Sequence, residues 1–308
     1  MPSTDAVPRS GATAAHRDET ADLEAGLEAG LDAMEPYAVG RPLGLRTLLS
    51  KALPPAIAIL IVLASWQLAF HCEVKPHYQL PSPSDVGRAL RQKWLEGTLL
   101  SYVWVSVSRG ALGFAASLVI GTPLGLLVAR FRLLRAAIGP ILSSLQSLPS
   151  VAWVPAAIIW FGITDTAVYT VVLLGAVPSI ANGLASGLSQ VPPLFVRVGR
   201  TIGANGLRGV RHVLLPAALP GYLAGLKQGW AFSWRSLMAA ELIATSPDLG
   251  TGLGQLLDQG RTNSDMSLVL AAIVLILAVG MGVELLIFAP IERRVLCRRG
   301  LLPDVGPS

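Results

Sequence analysis

Lys227, Arg235, Glu241 and Glu284 lie inside stretches apolar enough to sit in hydrocarbon, which singles them out as residues able to do chemistry there. Lys227, Arg235 and Glu241 share one stretch, and Glu284 lies in another. An ion inside a bilayer is costly, so each is a candidate for a transport path or a partner contact. Lys227 and Arg235 are eight residues apart, which on a straight helix sets them about 80° from one another, with Glu241 on a different side. Arg235 could attract a passing anion. It could equally be held by Glu241 or Glu284 for stability, and Lys227 could snorkel to an interface.

A second candidate is the basic, glycine-rich segment Val198-Gly-Arg200-Thr-Ile-Gly203-Ala-Asn-Gly-Leu-Arg208-Gly-Val-Arg211-His-Val213-Leu-Leu215-Pro216. A short helix entered from Pro192 and Pro193 should end near the glycines. A second should begin before a Leu-Pro step that redirects the chain. A basic helical hairpin of this kind can project into a partner's groove, or it can simply hold topology. Enzyme chemistry finds no foothold: there is no His pair, Ser-His-Asp set or Cys cluster of suitable spacing, and no Gly-x4-Gly-Lys-Ser/Thr phosphate loop. No cofactor and no metal is expected.

The elements that must position these residues are membrane spans. Hydrophobic residues make up 52% of the chain and charged ones 14%, and the mean hydropathy is +0.58. Leu53 to Phe70, Val103 to Ala129, Ile138 to Phe161, Ala167 to Leu188, Leu219 to Ala244 and Ser267 to Ala289 each approach or exceed the length that crosses hydrocarbon as a helix. A soluble protein would need polar surface to cover them, which this chain lacks. About six crossings are therefore expected, in an all-α polytopic bundle.

The net charge of +5 does not indicate nucleic acid, because the basic residues form no stripe with interleaved aromatics. They follow topology. Arg130, Arg132 and Arg135 separate the second and third runs, Arg197 to Arg211 the fourth and fifth, and Arg293 to Arg299 follow the sixth. The positive-inside rule makes these segments cytoplasmic and places both termini inside. Lys75, Arg88, Arg91 and Lys93 fall outside, with Glu73, Asp85 and Glu96 as partial counterweight. Cys72 and Cys297 then sit on opposite faces and cannot pair.

Residues 1–45, with their Leu-Glu-Ala-Gly echo, read as a disordered cytoplasmic tail, or as an amphipathic docking helix weakened by glycine. Residues 46–100 hold the first span and an external loop. There Leu80-Pro-Ser-Pro-Ser-Asp85 leads into an interfacial helix capped by Ser84 or Asp85. Residues 101–291 hold five further spans and the loop 191–216, and residues 292–308 form a cytoplasmic tail. Gly121 and Gly125, Gly183 and Gly187, and Gly221, Gly225 and Gly229 recur at four-residue spacing, which lets helix backbones approach closely in lipid. Pro123, Pro149, Pro155 and Pro178 should break or kink their spans.

Gly203, nine residues, then Val213-Leu-Leu215-Pro216 resembles the cytoplasmic signature of permease subunits in bacterial ATP-binding-cassette importers. Leu80-Pro-Ser-Pro-Ser-Asp85, Ser147-Leu-Pro-Ser150, Trp160-Phe-Gly162, Ala217-Ala-Leu-Pro220, Trp234, and Ala240-Glu241 with Gly252-Leu-Gly254 resemble the branch importing nitrate, sulfonates and taurine. The resemblance spans about Leu80 to Ile291. The acidic residue that opens the family's pattern is replaced by Arg197, which reverses the charge.

The resemblance implies a type I importer fold in a bacterial inner membrane. It also implies a homodimer of permeases, two cytoplasmic ATPase subunits and an external solute-binding protein. Coupling to the ATPase would fall to Arg200, Gly203, Val213, Leu215 and Pro216, and the substrate path to Arg235, Glu241 and Trp234. The implied cargo is a small organic anion, first an aliphatic sulfonate or taurine, then nitrate or a pyrimidine precursor. A self-sufficient secondary transporter is the alternative from another class, and it predicts an inverted repeat; none is apparent.

Overall fold

Helix formation follows the apolar runs, because a backbone surrounded by hydrocarbon must satisfy its N–H and C=O groups within the segment. The computed structural model describes residues 45–201, 203–204, 206–244 and 250–299, all of it helix, turn or irregular chain without strands. The proposed tail segment 1–44 and residues 300–308 lie outside the described residues. The helices are α1 (Leu45–His71), α2 (Pro83–Leu95), α3 (Leu99–Arg130), α4 (Arg132–Ser147), α5 (Val154–Phe161), α6 (Asp165–Ser189), α7 (Pro193–Thr201), α8 (Leu215–Ile243), α9 (Leu253–Thr262), α10 (Met266–Val283) and α11 (Ala289–Cys297).

Four helical stretches are long and apolar enough to cross a membrane: the Leu53–His71 part of α1, then α3, α6, and Met266–Cys297, in which α10 runs through a π-turn at Glu284–Phe288 into α11. The run expected as the third crossing, with a break or kink at Pro149 or Pro155, is bent by 100° between α4 and Ser150–Phe161, giving at most a fifth span. The cause is Pro149, which precedes a 3-10 turn over Ser150–Trp153 and cannot continue the ladder of α4. The expected fifth crossing is α8, whose 29 residues are long enough but carry Lys227, Arg235 and Glu241. Its polar content suits an interior position rather than a lipid-facing one.

Helix α6 is the centre, with 56% of its apolar window buried against 0% for α1. Val171, Val172, Ala176, Ile180, Ala181 and Leu184 of α6 are essentially inaccessible, as is Leu237 of α8. Glycine makes this possible. A Cβ on Gly225 of α8 would stand 2.6 Å from the Cα of Gly183 on α6, so the two backbones touch where those glycines meet. On the other flank of α6, a Cβ on Gly125 of α3 would lie 2.7 Å from the Ala181 carbonyl oxygen.

Around Trp230 an aromatic cluster adds to the core. Trp230 stacks on Trp234 with centroids 6.0 Å apart, and Phe114 meets Trp230 and Phe288 edge-on. Helix α1 stands off this core. Among the described residues, Trp66 Nε1 ties it to the Pro81 carbonyl at 3.0 Å, and its apolar face is left to lipid or a partner surface.

A helix follows Leu80-Pro-Ser-Pro-Ser-Asp85 as expected, α2, but its cap differs. Ser82, not Ser84 or Asp85, is the N-cap, accepting from the Asp85 backbone N–H while Asp85 Oδ2 accepts from the Ser82 N–H. Pro83 at the first helical position fixes this phase, since its missing N–H is not needed there. Two of the cations expected to lie outside find local acids: Arg88 pairs with Asp85, and Lys93 with Glu96 at 2.8 Å. Both cysteines are free thiols.

Candidate functional site

The hairpin between α6 and α8 is built on one glycine. Helix α7 ends with the Gly203 N–H donating to the Arg200 carbonyl at 3.1 Å and the Ala204 N–H to the Gly199 carbonyl at 2.8 Å. That pair of bonds is a Schellman motif with Gly203 at the left-handed position, φ +81°. A side chain there would strain the turn, which is the physical reason for glycine. The chain returns through Gly206–Gly209 and a π-turn at Val210–Leu214, where Val213 packs on Gly199 at 3.0 Å from the position of a Cβ.

The Leu215-Pro216 step does not redirect the chain. Leu214 and Leu215 keep right-handed helical dihedrals, and Pro216 falls in the first turn of α8, where its absent N–H breaks no essential bond. The hairpin's second arm is thus continuous with α8. Arg200 is exposed, Val213 and Leu215 are half-buried and Pro216 is exposed. Arg197, Arg200, Arg208 and Arg211 enter no ion pair among the described residues. Leu194, Phe195 and Val198 expose an apolar face on α7. Between the arms, a cavity of about 260 Å³ is lined in part by Arg130, Arg200, Gly206 and Val213. Free cations beside exposed apolar groups suit a protein surface that mixes both.

At the opposite end of α8, 26 residues and about 39 Å along its axis from Leu215, lies a buried ionic cluster. Glu241 is 1% exposed. Its Oε2 accepts from Ser106 Oγ at 2.7 Å and from the Gly254 N–H at 3.0 Å. Oε1 stands 3.5 Å from Arg109 Nη1, and Arg109 Nε reaches Asp165 Oδ1 at 3.1 Å. Ser106 Oγ also accepts from the Leu253 N–H at 2.8 Å. The ends of α3, α6, α8 and α9 meet here. Gly252 and Gly254 lie so close to Glu241 that a Cβ on the first would strike the carboxylate and on the second would come within 2.5 Å of Glu241 Cβ. Glu241 is enclosed, and its Oε2 joins α8 to α3 and to the start of α9.

Of the three residues suggested for a substrate path, Trp234 and Arg235 line one recess, and Glu241 lies apart from them in the buried ionic cluster. Trp234 is buried and donates from Nε1 to the Ile276 carbonyl at 3.2 Å, tying α8 to α10. Arg235 points outward, with its guanidinium 4.6 Å from the Phe232 ring centroid and its Nε donating to the Ala231 carbonyl at 3.1 Å. It pairs with neither Glu241 nor Glu284, both of which have other cations. Lys227 holds Glu284 at 2.7 Å and Glu292 at 3.2 Å. Arg235 and Glu284 share an open apolar recess with Ile276, Gly280 and Met281.

Sequence reasoning passes over Arg109, Ser106 and Asp165. A guanidinium within the apolar run of α3 is the signal that could have found Arg109. Gly252-Leu-Gly254 and Ala240-Glu241 were noticed as separate motifs, and the structure shows that they are one contact. Among the described residues no group of three or more His, Cys, Asp or Glu could hold a metal ion.

Comparison with known proteins places these features. The family model of the binding-protein-dependent transport system inner membrane component matches residues 121–295, more than half of the chain. The taurine transport system permease protein of Escherichia coli is 29% identical over 244 residues, covering 77% of this chain and 87% of that one. A nitrate import permease protein of a Synechocystis strain is 28% identical over 240 residues, covering 75% and 85%. The fold is also that of a chain in inward-facing structures of the MetNI methionine ABC transporter. There the TM-score is 0.57 at 22% identity, covering 65% of this chain and 97% of that chain.

Proposed function

The chain belongs to the family of binding-protein-dependent transport system inner membrane components, and on that premise we propose that it forms the passage for a small organic anion, first an aliphatic sulfonate or taurine. It is a multi-pass inner-membrane permease subunit of an ABC importer. Hydrolysis is assigned to separate ATPase subunits, two per permease homodimer, with an external binding protein delivering the solute.

The observation that carries this reading is the Gly203 turn. It presents Arg200 and the apolar face of α7 at the foot of a helix that runs without a break to Glu241. Arg200, Gly203, Val213, Leu215 and Pro216 form the seat for the ATPase. Deleting residues 203–216 should abolish co-purification of the ATPase subunit; stoichiometric retention would remove the coupling role.

Arg235 supports an anionic cargo, being an exposed guanidinium on α8 without a carboxylate partner among the described residues. Nitrate is the second reading, favoured by the Synechocystis relative. Growth of a deletion strain decides between them. Loss of growth on taurine or alkanesulfonates as sulfur source, with nitrate use intact, supports the first, and the reverse supports the second. A chain that takes up solute alone under an ion gradient would be a secondary transporter instead.

A further inference from the structure

Pro220 lies inside α8 and has no N–H, so the carbonyl one turn earlier, that of Pro216, loses its helical donor. In this structure the donor comes from another element. Arg299, just past α11, donates from Nη2 to the Pro216 oxygen and from Nη1 to the Ala217 oxygen at 3.3 Å. A guanidinium presents parallel N–H groups on a rigid fork, which suits two successive carbonyls. The pair it serves sits at the junction where the hairpin's return arm becomes α8.

We propose that Arg299 is a positioning residue for transport: it fixes the angle between the 203–216 hairpin and the bundle by supplying the hydrogen bond that Pro220 removes. The proposal rests on the hairpin being the ATPase seat. Lys227 strengthens the same join further along, binding Glu292 of α11 at 3.2 Å. The C-terminal helix is therefore attached to α8 at two levels, one by an ion pair and one by freed backbone. Of these two attachments, that of Arg299 is the one next to the hairpin. Losing it takes the protein donor from the Pro216 carbonyl and leaves the hairpin freer to tilt.

The test uses the full transporter, with permease, ATPase and binding protein reconstituted in proteoliposomes, and reads solute moved per ATP hydrolysed. Arg299→Ala should lower that ratio about tenfold, the scale of one hydrogen bond to a charged group. Arg299→Lys, a point charge that serves one carbonyl at a time, should recover part of it. Pro220→Ala restores an N–H to the Pro216 carbonyl, so the double variant with Arg299→Ala should return towards the parent value. A merely structural arginine would not be made dispensable in this way.

An unchanged ratio in Arg299→Ala, or a double variant as poor as Arg299→Ala, overturns the proposal. Co-purification of the ATPase separates this from the underlying reading. Arg299→Ala should still bind the ATPase, whereas failure of the 203–216 deletion to release it would remove the seat itself.

Discussion

Glu241 accepts from two neutral donors on one oxygen and faces a guanidinium on the other, so different replacements remove different parts. Glu241→Gln keeps an acceptor for Ser106 and the Gly254 N–H but gives up the charge facing Arg109. Glu241→Ala removes the acceptor and the charge together, a change that costs about 3–5 kcal/mol. Thermal unfolding of the purified permease in detergent should rank the parent above Gln and Gln above Ala. Gln equal to the parent would show that the 3.5 Å contact with Arg109 contributes nothing. Gly203→Ala must hold a Cβ in left-handed backbone, at about 1–2 kcal/mol, and should weaken ATPase binding by roughly tenfold. Gly139→Ala is the control, since a Cβ there meets nothing within 4 Å. Glu241 was legible in the sequence as an ion inside an apolar run. Arg109 was equally charged but was missed, because a single guanidinium barely lowers the mean apolarity of a 32-residue helix.

Element by element, the existence of the helices was legible from hydropathy, because an apolar run has only helix available to it in lipid, while their ends were less so: α1 begins at Leu45 and not at Leu53, and α11 ends at Cys297 and not at Ala289. The breaks were less so. Proline predicted a fault near residue 149 but not its 100° angle, which depends on how the short α5 packs against α6. At Leu215-Pro216 proline predicted a turn that does not occur, because at the start of a helix its ring costs no bond. Glycine spacing predicted close approach correctly, although which helices meet is set by tertiary packing. Gly225→Leu should separate α6 from α8, at a cost of about 1–3 kcal/mol or more, read as a lowered unfolding temperature. The capping box of α2 offers a pH test. Hydrogen bonds from the Ser82 side chain and backbone hold the Asp85 carboxylate below its usual range. Its contribution is therefore present above the ordinary value, about 3.9, and fades as pH falls through the lower folded one. Amide protection at the start of α2, taken relative to the intrinsic exchange rate at each pH, should fall on acidification through that window, and Ser82→Ala should show the lower protection at neutral pH as well.

For the whole molecule, the division of labour has a direct check. Proteoliposomes holding this chain alone should show no uptake under a proton or sodium gradient and no ATP hydrolysis, with both appearing only when ATPase and binding protein are added. The apolar face of α1, left uncovered by the described residues, fits a subunit whose surfaces are completed by lipid and by other copies. One contact inside the chain bears on how such a machine can move. Where Gly183 meets Gly225 the backbones of α6 and α8 touch, with no layer of side chains between them to change rotamer and absorb a displacement. The two helices are consequently geared together without slack. A tilt applied at Leu215 by the hairpin must reappear at the far end, where Glu241, Arg109 and Asp165 join the same pair of helices, as a displacement of the whole rod rather than a wave that dies along it.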